Sequence, residues 1–378
     1  MGHLLNDADL IDRIFSHIDG KTTDAGTQVW REPVENYRSR ERFDAEIEVL
    51  RRIPVPFCPS AAIGEPGSYI ARTAARTPLL AVRGDDGVAR AFRNACRHRG
   101  MAVARGEGCQ RSFACPYHAW TYGLDGSLKH VPGEEGFPGL DKADNGLVPV
   151  HAVEERGGLV FVTQDPPLSD GALGEMPDLL EPGQEVFNCI SFTDQSNWKL
   201  IGETSMEGYH IKALHNKSFY PYGFDNLNVV ETYGRNSRIV FPFRRIEKLR
   251  QIPREERRLK GMVTDVYQLF PNTHISWLTD HAMLVILEPV SPTETQWVIY
   301  QVTLKPEDGK PVDVEVARRD ANFVQDTGLI EDRDAAHTIQ THMESGANSH
   351  LTFGHYEQAI GHFHRNLTAH IDMLGRNG

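Results

Sequence analysis

Residues Cys115–Leu128 read CPYHAWTYGLDGSL, and upstream of them residues Asn94–Val103 read NACRHRGMAV. Cys96 and His98 are separated by one residue, Cys115 and His118 by two, and sixteen residues lie between the pairs. Each pair falls beside a segment patterned as a hairpin. LLAVRGDDGVARAF (Leu79–Phe92) turns at Gly84–Gly87, and AWTYGLDGSLKHV (Ala119–Val131) turns at Asp125–Gly126. Two loops at the tips of neighbouring hairpins can converge on one site. The run of hairpins without a long helix predicts a small all-β module, closed by the strand GGLVFVTQDPP.

A Cys2His2 set in this pattern has three readings. The pairs can be unrelated, or they can hold a structural zinc, for which C-x-H is an unusual arm. The third is a Rieske-type [2Fe–2S] centre, in which two cysteines hold one iron and two histidines the other. Each loop then gives one ligand to each iron, which accounts for the mixed pairs. The five cysteines (Cys58, Cys96, Cys109, Cys115 and Cys189) are too few and too scattered for a disulfide framework. Cys109, between the pairs, reads as a buried or half-exposed free thiol.

Composition narrows the class. The chain has 378 residues, 40% of them apolar, and a formal net charge of −12. That length fits two domains with ample core. The acidic balance argues against nucleic acid as a partner, because phosphate binding needs clustered cations. No apolar run is long enough for a membrane span, and MGHLLNDADLIDRIFSHIDG reads as a short amphipathic helix without a signal-peptide core. The expectation is a cytoplasmic protein with no membrane partner.

After a Pro/Gly/Asp-rich linker, PPLSDGALGEMPDLLEPG (Pro166–Gly183), comes NWKLIGETSMEGYHIKALH (Asn197–His215), helical in propensity. On a regular helix Glu207 and His210 share a face. His210 and His215, five apart, lie about 140° around it. One metal can take both only if the helix unwinds or ends between them. Strands follow at SRIVFPF, HAMLVILEPV and TQWVIYQVTL, then a helical C-terminal segment from Val314 to Leu374. FRRIEKLRQIPREERRLKG (Phe243–Gly261) is locally basic, either a solvated segment or a dock for an acidic reductase or anionic substrate. HYEQAIGHFHRNLTAH (His355–His370) has histidines at helical spacing and reads as a packed terminal helix. There is no dinucleotide-binding Gly-rich loop, so any NAD(P)H must be oxidised by another chain.

The two Cys/His segments closely resemble the cluster motifs of the Rieske non-haem iron oxygenases. The likeness continues through NWK and Glu207–His210–His215, which match that family's carboxylate-x-x-His-x4-His motif. The resemblance implies an α+β alpha (terminal oxygenase) subunit. Its parts would be an N-terminal helical segment (1–45) packing on the catalytic domain, a Rieske domain (46–162), and a catalytic domain (163–378) with an antiparallel sheet, helix-grip or START-like. It implies a [2Fe–2S] cluster on Cys96, His98, Cys115 and His118, and a mononuclear Fe(II) on His210, His215 and a late carboxylate. LIEDRDAAHTIQ (Leu329–Gln340) offers Glu331, Asp332 and Asp334. Asp332 aligns with the family's Asp eight residues before a Gln, here Gln340, and Asp334 is the runner-up. Glu207 matches the residue that bridges the two centres between subunits of a ring, usually a homotrimer. The implied activity uses O2 and electrons from a separate ferredoxin or flavin/iron–sulfur reductase to monooxygenate a small organic substrate. Arene cis-dihydroxylation and electron transfer with a vestigial iron site are the alternatives. Two positions depart from the arene branch: Glu207 stands for its Asp, and Thr204 for its Asn. Glu at the bridge occurs in members that oxidise quaternary ammonium compounds.

Overall fold

The computed structural model describes residues 4–169, 173, 176–305 and 312–376. The chain divides into two compact units: Leu50–Glu185, and Met1–Val49 together with Val186–Gly378. The expected boundary between residues 162 and 163 therefore falls inside the first of these, which keeps the linker; positions 170–172, 174 and 175 of that linker lie outside the described residues.

The Leu50–Glu185 unit is built from three small antiparallel sheets. Its four-stranded sheet runs Ala89–Arg93, Thr77–Arg83, Ser68–Ala74, Gly106–Cys109. Leu79 to Val82 are fully buried, so the strand reads as a continuous apolar run. At the Gly84–Gly87 turn, Gly87 takes φ +76° and Gly84 N–H donates to the Val88 carbonyl at 2.9 Å. The second hairpin joins Thr121–Tyr122 to Leu128–His130. There Gly126 has φ +79°, and a Cβ at that position would strike the Phe92 ring, so only glycine fits the corner. Val55–Pro59, Leu159–Thr163 and Ala152–Arg156 make the third sheet. The core gathers Phe92, Phe113, Trp120, Tyr122 and Leu128 around Cys96 and Cys115.

The other unit is organised on a seven-stranded antiparallel sheet. Its order is Val186–Asp194, Glu294–Thr303, His281–Ser291, Thr273–Trp277, Val263–Leu269, Asn236–Pro242, Val229–Tyr233. The edge strand Val186–Asp194 alternates between half-buried and exposed positions, whereas His281–Ser291 and Glu294–Thr303 are buried almost throughout. Among the described residues there are seven α-helices: α1 (Asp7–Gly20), α2 (Arg40–Arg51), α3 (Trp198–Thr204), α4 (Ile211–Leu214), α5 (Val314–Asp326), α6 (Gly328–His342) and α7 (Gln358–Arg376). The expected C-terminal helical stretch is thus three helices interrupted by a strand, His350–Phe353, which pairs with Trp30–Pro33. Among the described residues no helix is long and apolar enough to cross a membrane.

Helix α1 packs Leu10, Ile11, Ile14 and Phe15 against Leu227, Val229, Val240 and Ile246. Its acidic side meets the basic segment. Asp12 accepts from Arg254 at 2.7 Å and from Arg257 at 2.9 Å, Asp19 accepts from Arg250 at 2.7 Å, and Asp9 pairs with Arg254. Those arginines clamp the N-terminal helix rather than stand free as a dock. The histidine-bearing terminal helix is packed as expected: Ile360, Phe363, His364 and Leu367 of α7 are buried.

Candidate metal centres

The Cys96 and Cys115 loops are built to one plan. Gly100 N–H donates to the Cys96 carbonyl and Ala119 N–H to the Cys115 carbonyl, both at 2.8 Å. Cys96 N–H donates to Met101 O and Cys115 N–H to Trp120 O, at 2.8 and 2.9 Å. The fifth residue of each loop takes positive φ, +77° at Gly100 and +57° at Ala119. Two like loops thereby present two buried cysteines, and bring His98 Nδ1 to 3.1 Å from His118 Nδ1. His98 stacks on Trp120, with centroids 5.0 Å apart, and Tyr122 places its hydroxyl 3.2 Å from Cys96 Sγ. Two buried thiols on like loops, with two imidazole nitrogens 3.1 Å apart, fit a cluster with one sulfur-held and one nitrogen-held iron. Cys109, expected to be a buried or half-exposed free thiol, is free but exposed, with Sγ 3.5 Å from the Pro66 carbonyl.

The second constellation forms because the Asn197–His215 segment does not stay helical. Asn197 caps α3, its side chain accepting from Lys199 N–H, a standard way of satisfying a helix start. Helix α3 ends at Thr204, a non-helical link carries Glu207, and the chain resumes as the four-residue α4. His210 and His215 flank α4 as its two end residues. The interval between the histidines is helical, but α4 ends at Leu214, so His215 lies past the helix end, as one metal holding both requires. Glu207 is buried. One carboxylate oxygen accepts from the backbone N–H groups of Tyr209 and His210, and the other meets His210 Nδ1.

Asp332 arrives from α6. That helix is tied to the edge strand by Arg333, which donates twice to Asp194 (2.7 and 2.5 Å), and to the start of α3 by Gln340, whose Oε1 accepts from Asn197 N–H at 2.9 Å. Asp332 Oδ1 lies 3.1 Å from His215 Nε2 and 3.6 Å from His210 Nε2. One ligand atom from each of the three residues falls within 4.8 Å of the others. Two imidazoles and one carboxylate are the donor set of the facial triad that suits non-haem Fe(II). Burial alone would lower both histidines' proton affinity. The carboxylates Glu207 and Asp332 around His210, and Asp332 and Glu331 around His215, more than reverse it and raise both. A divalent cation takes the place of that proton. Asp334 is exposed and outside the group.

Glu331 has a place that its sequence neighbourhood did not reveal. Its Oε2 lies 2.7 Å from His215 Nδ1 and accepts from Ser218 Oγ at 2.5 Å. The triad opens on a cavity of about 620 Å³, lined by Phe219, Phe243, Val285, Leu287, Trp297 and Phe323 among others. A cavity of that size holds a drug-sized molecule.

Two family models match the chain: the Rieske [2Fe–2S] domain over residues 54–144, and the ring hydroxylating alpha subunit (catalytic domain) over residues 189–373. The chain belongs to the Rieske non-haem iron oxygenases. Among the chain's curated relatives is a glycine betaine monooxygenase oxygenase subunit from Chromohalobacter salexigens, 37% identical over 39% of this chain and 35% of the relative. Another is a carnitine monooxygenase oxygenase subunit from Escherichia coli K12, 33% identical over 50% of this chain and 53% of the relative. The chain thus matches only about a third to a half of these relatives' length. Among solved structures, a quaternary ammonium Rieske monooxygenase with bound L-carnitine aligns at TM-score 0.73 and 20% identity, covering 98% of this chain and 99% of the other. A naphthalene 1,2-dioxygenase from Rhodococcus aligns at 0.74 and 19%, covering 96% and 98%. These likenesses show a shared α+β fold, made of an all-β Rieske domain and a catalytic domain of helices and antiparallel sheet.

Proposed function

We propose that the chain is the terminal oxygenase component of a multicomponent system that monooxygenates a small organic substrate. The convergence of His210, His215 and Asp332 on one side of an apolar cavity carries this reading. One atom of O2 enters a C–H bond, giving an alcohol or, at a methyl on a heteroatom, a demethylated product. The other leaves as water, with two protons and two electrons consumed. Those electrons come from NAD(P)H through a separate ferredoxin or flavin/iron–sulfur reductase, because this chain carries no nucleotide-binding loop.

Cys96 and Cys115 would hold one iron of the cluster, and His98 and His118 the other. His210, His215 and Asp332 would hold the mononuclear Fe(II), whose chemistry when bound is the activation of O2 at positions those three ligands leave open. Glu207 fixes the imidazole of His210 through Nδ1, so that Nε2 faces Asp332; Glu331 does the same for His215. The apolar cavity wall keeps bulk water from the reacting bond. Glu207 is also the proposed link to His118 of a neighbouring subunit in a homotrimer, and the chain is placed in the cytoplasm. The curated relatives act, by name, on betaine and carnitine, and the glutamate at position 207 agrees with that branch rather than with arene dihydroxylation.

The deciding experiment is O2 uptake by the purified protein with NADH and a generic Rieske reductase across a substrate panel, with product oxygen traced by ¹⁸O2. A substrate that raises uptake and gains one labelled atom is the expected result. Two labelled atoms would mean dihydroxylation, and uptake unmoved by every substrate would leave an electron carrier. The cluster assignment is read separately: Cys96→Ser should abolish the Rieske EPR signal, and Cys109→Ser should leave it.

A further inference from the structure

The cavity wall carries a polar group that the iron chemistry does not use. His274 lies on the strand Thr273–Trp277, is 4% exposed, and lines the same cavity as Glu207, His210, His215 and Asp332. Its Nδ1 is buried without a hydrogen-bond partner, and Nε2 has no partner among the described residues either. Burial pushes its pKa down to about 4, so the ring is neutral at pH 7 and offers one donor and one acceptor. Buried polar groups are normally paired, and an unpaired one needs an explanation.

A Cβ at Gly202 in α3 would lie 3.1 Å from His274 Nε2, so glycine, unfavourable inside a helix, lets α3 pack closely on the ring at the cavity edge. Val285 pairs with His274 across the sheet, and Trp297 pairs with Leu287 on the next strand, so all four side chains share the cavity face. The indole N–H of Trp297 is likewise buried without an acceptor. His274 and Trp297 thus bring unpaired ring nitrogens to one wall of a largely apolar and aromatic chamber, which Thr264, Ser276, Thr279 and Asp320 also line. The arginines that line the cavity, Arg244 and Arg245, are exposed.

We infer that His274 is the specificity-determining anchor of the cavity, and that the substrate is an uncharged, largely apolar molecule whose single carbonyl or hydroxyl oxygen hydrogen-bonds to it. The inference rests on the oxygenase reading for the meaning of the cavity, and it names a substrate class different from the relatives' quaternary ammonium compounds. A quaternary ammonium group has no N–H to donate and no lone pair to accept with, so it would leave His274 unpaired. A neutral imidazole likewise gives a carboxylate no countercharge. A carbonyl or hydroxyl oxygen can pair with the ring through Nε2, the nitrogen that is not sealed in the core, and an apolar body fills the chamber.

The test is anaerobic equilibrium dialysis of the holoenzyme without reductant, so that binding is measured apart from turnover. Three probes are used: 1-tetralone, tetralin, which lacks the oxygen, and phenyltrimethylammonium. Wild type should hold tetralone about tenfold tighter than tetralin, the value of one hydrogen bond, and tighter than the ammonium probe. His274→Leu should erase the tetralone preference while leaving tetralin affinity within about twofold, and His274→Gln should restore part of it. An unchanged preference in His274→Leu would overturn the inference. So would tightest binding of the ammonium probe by wild type, or no binding of either bicyclic probe. Failure of the oxygenase reading shows up elsewhere, as the absence of substrate-dependent O2 uptake.

Discussion

His215 Nδ1 lies 2.7 Å from Glu331 Oε2, while the opposite nitrogen of the same ring faces Asp332 at 3.1 Å. A carboxylate behind a metal-binding imidazole fixes its tautomer and orientation. Glu331→Ala should therefore lower affinity for the mononuclear iron by about 10–100-fold and leave the Rieske spectrum intact. Iron titration of protein stripped at that site is the check, and unaltered affinity would remove Glu331 from the role.

Adjacent acids on α6 should behave differently. Asp332→Ala should lose the mononuclear iron and all turnover, because it deletes one of three protein ligands. Asp334→Ala, at an exposed position, should keep both. Iron content together with substrate-dependent O2 uptake distinguishes them; reversed phenotypes would move the third ligand to Asp334.

Glu207→Ala should retain the cluster and most of the mononuclear iron yet oxidise almost no substrate, and Glu207→Asp should recover part of the loss. The readout is single-turnover re-oxidation of the reduced cluster with substrate and O2. Wild-type rates in Glu207→Ala would sink the bridging role and leave Glu207 only as the clamp on His210.

Below the catalytic segment, Glu203 meets the Tyr37 hydroxyl at 2.6 Å and His364 Nε2 at 2.7 Å, all three buried. Burial lifts the Glu203 carboxyl to about 8 and lowers His364 to about 4. The unfolded chain releases the Glu203 proton near 4.5, whereas the folded protein keeps it until pH 8. Its contribution to stability is thus fully present below pH 4.5 and is lost as pH rises to 8. The slope is up to about 1.4 kcal/mol per pH unit. Between pH 7 and 8, where His364 is mostly neutral in both states, the melting temperature should fall with pH, and Glu203→Gln should flatten that fall. Parallel curves for the two proteins would count against a buried protonated carboxyl.

The parts that were legible beforehand are those whose chemistry is local. Cys96–His98 and Cys115–His118 lie within a few residues of their own turns, and glycines at the hairpin corners announce the module. The strands Asn236–Pro242, His281–Ser291 and Glu294–Thr303 were visible as apolar runs. Val263–Leu269 and Thr273–Trp277 were not, because they bury polar residues. Asp265 is hidden by its ion pair with Arg238, and Gln268 and His274 sit in the core. The Glu331–His215 contact joins positions 116 residues apart, and such a pair leaves no periodic trace. The clamp between α1 and Arg250, Arg254 and Arg257 was hidden for the same reason: the basic segment looked free because its acidic partners lie at the other end of the chain.

The iron-binding unit is discontinuous, with Leu50–Glu185 inserted between its first stretch and the rest. A ribosome therefore delivers the inserted unit whole while Trp30–Pro33 still lacks its partner His350–Phe353. At roughly 5–20 residues per second, that orphan strand waits on the order of tens of seconds. Pro33, which has no N–H to offer, and the charged Arg31 and Glu32 make it a poor template for stray pairing in the interval. Translation order thus leaves the inserted Leu50–Glu185 module free to fold well before the discontinuous unit around it can close.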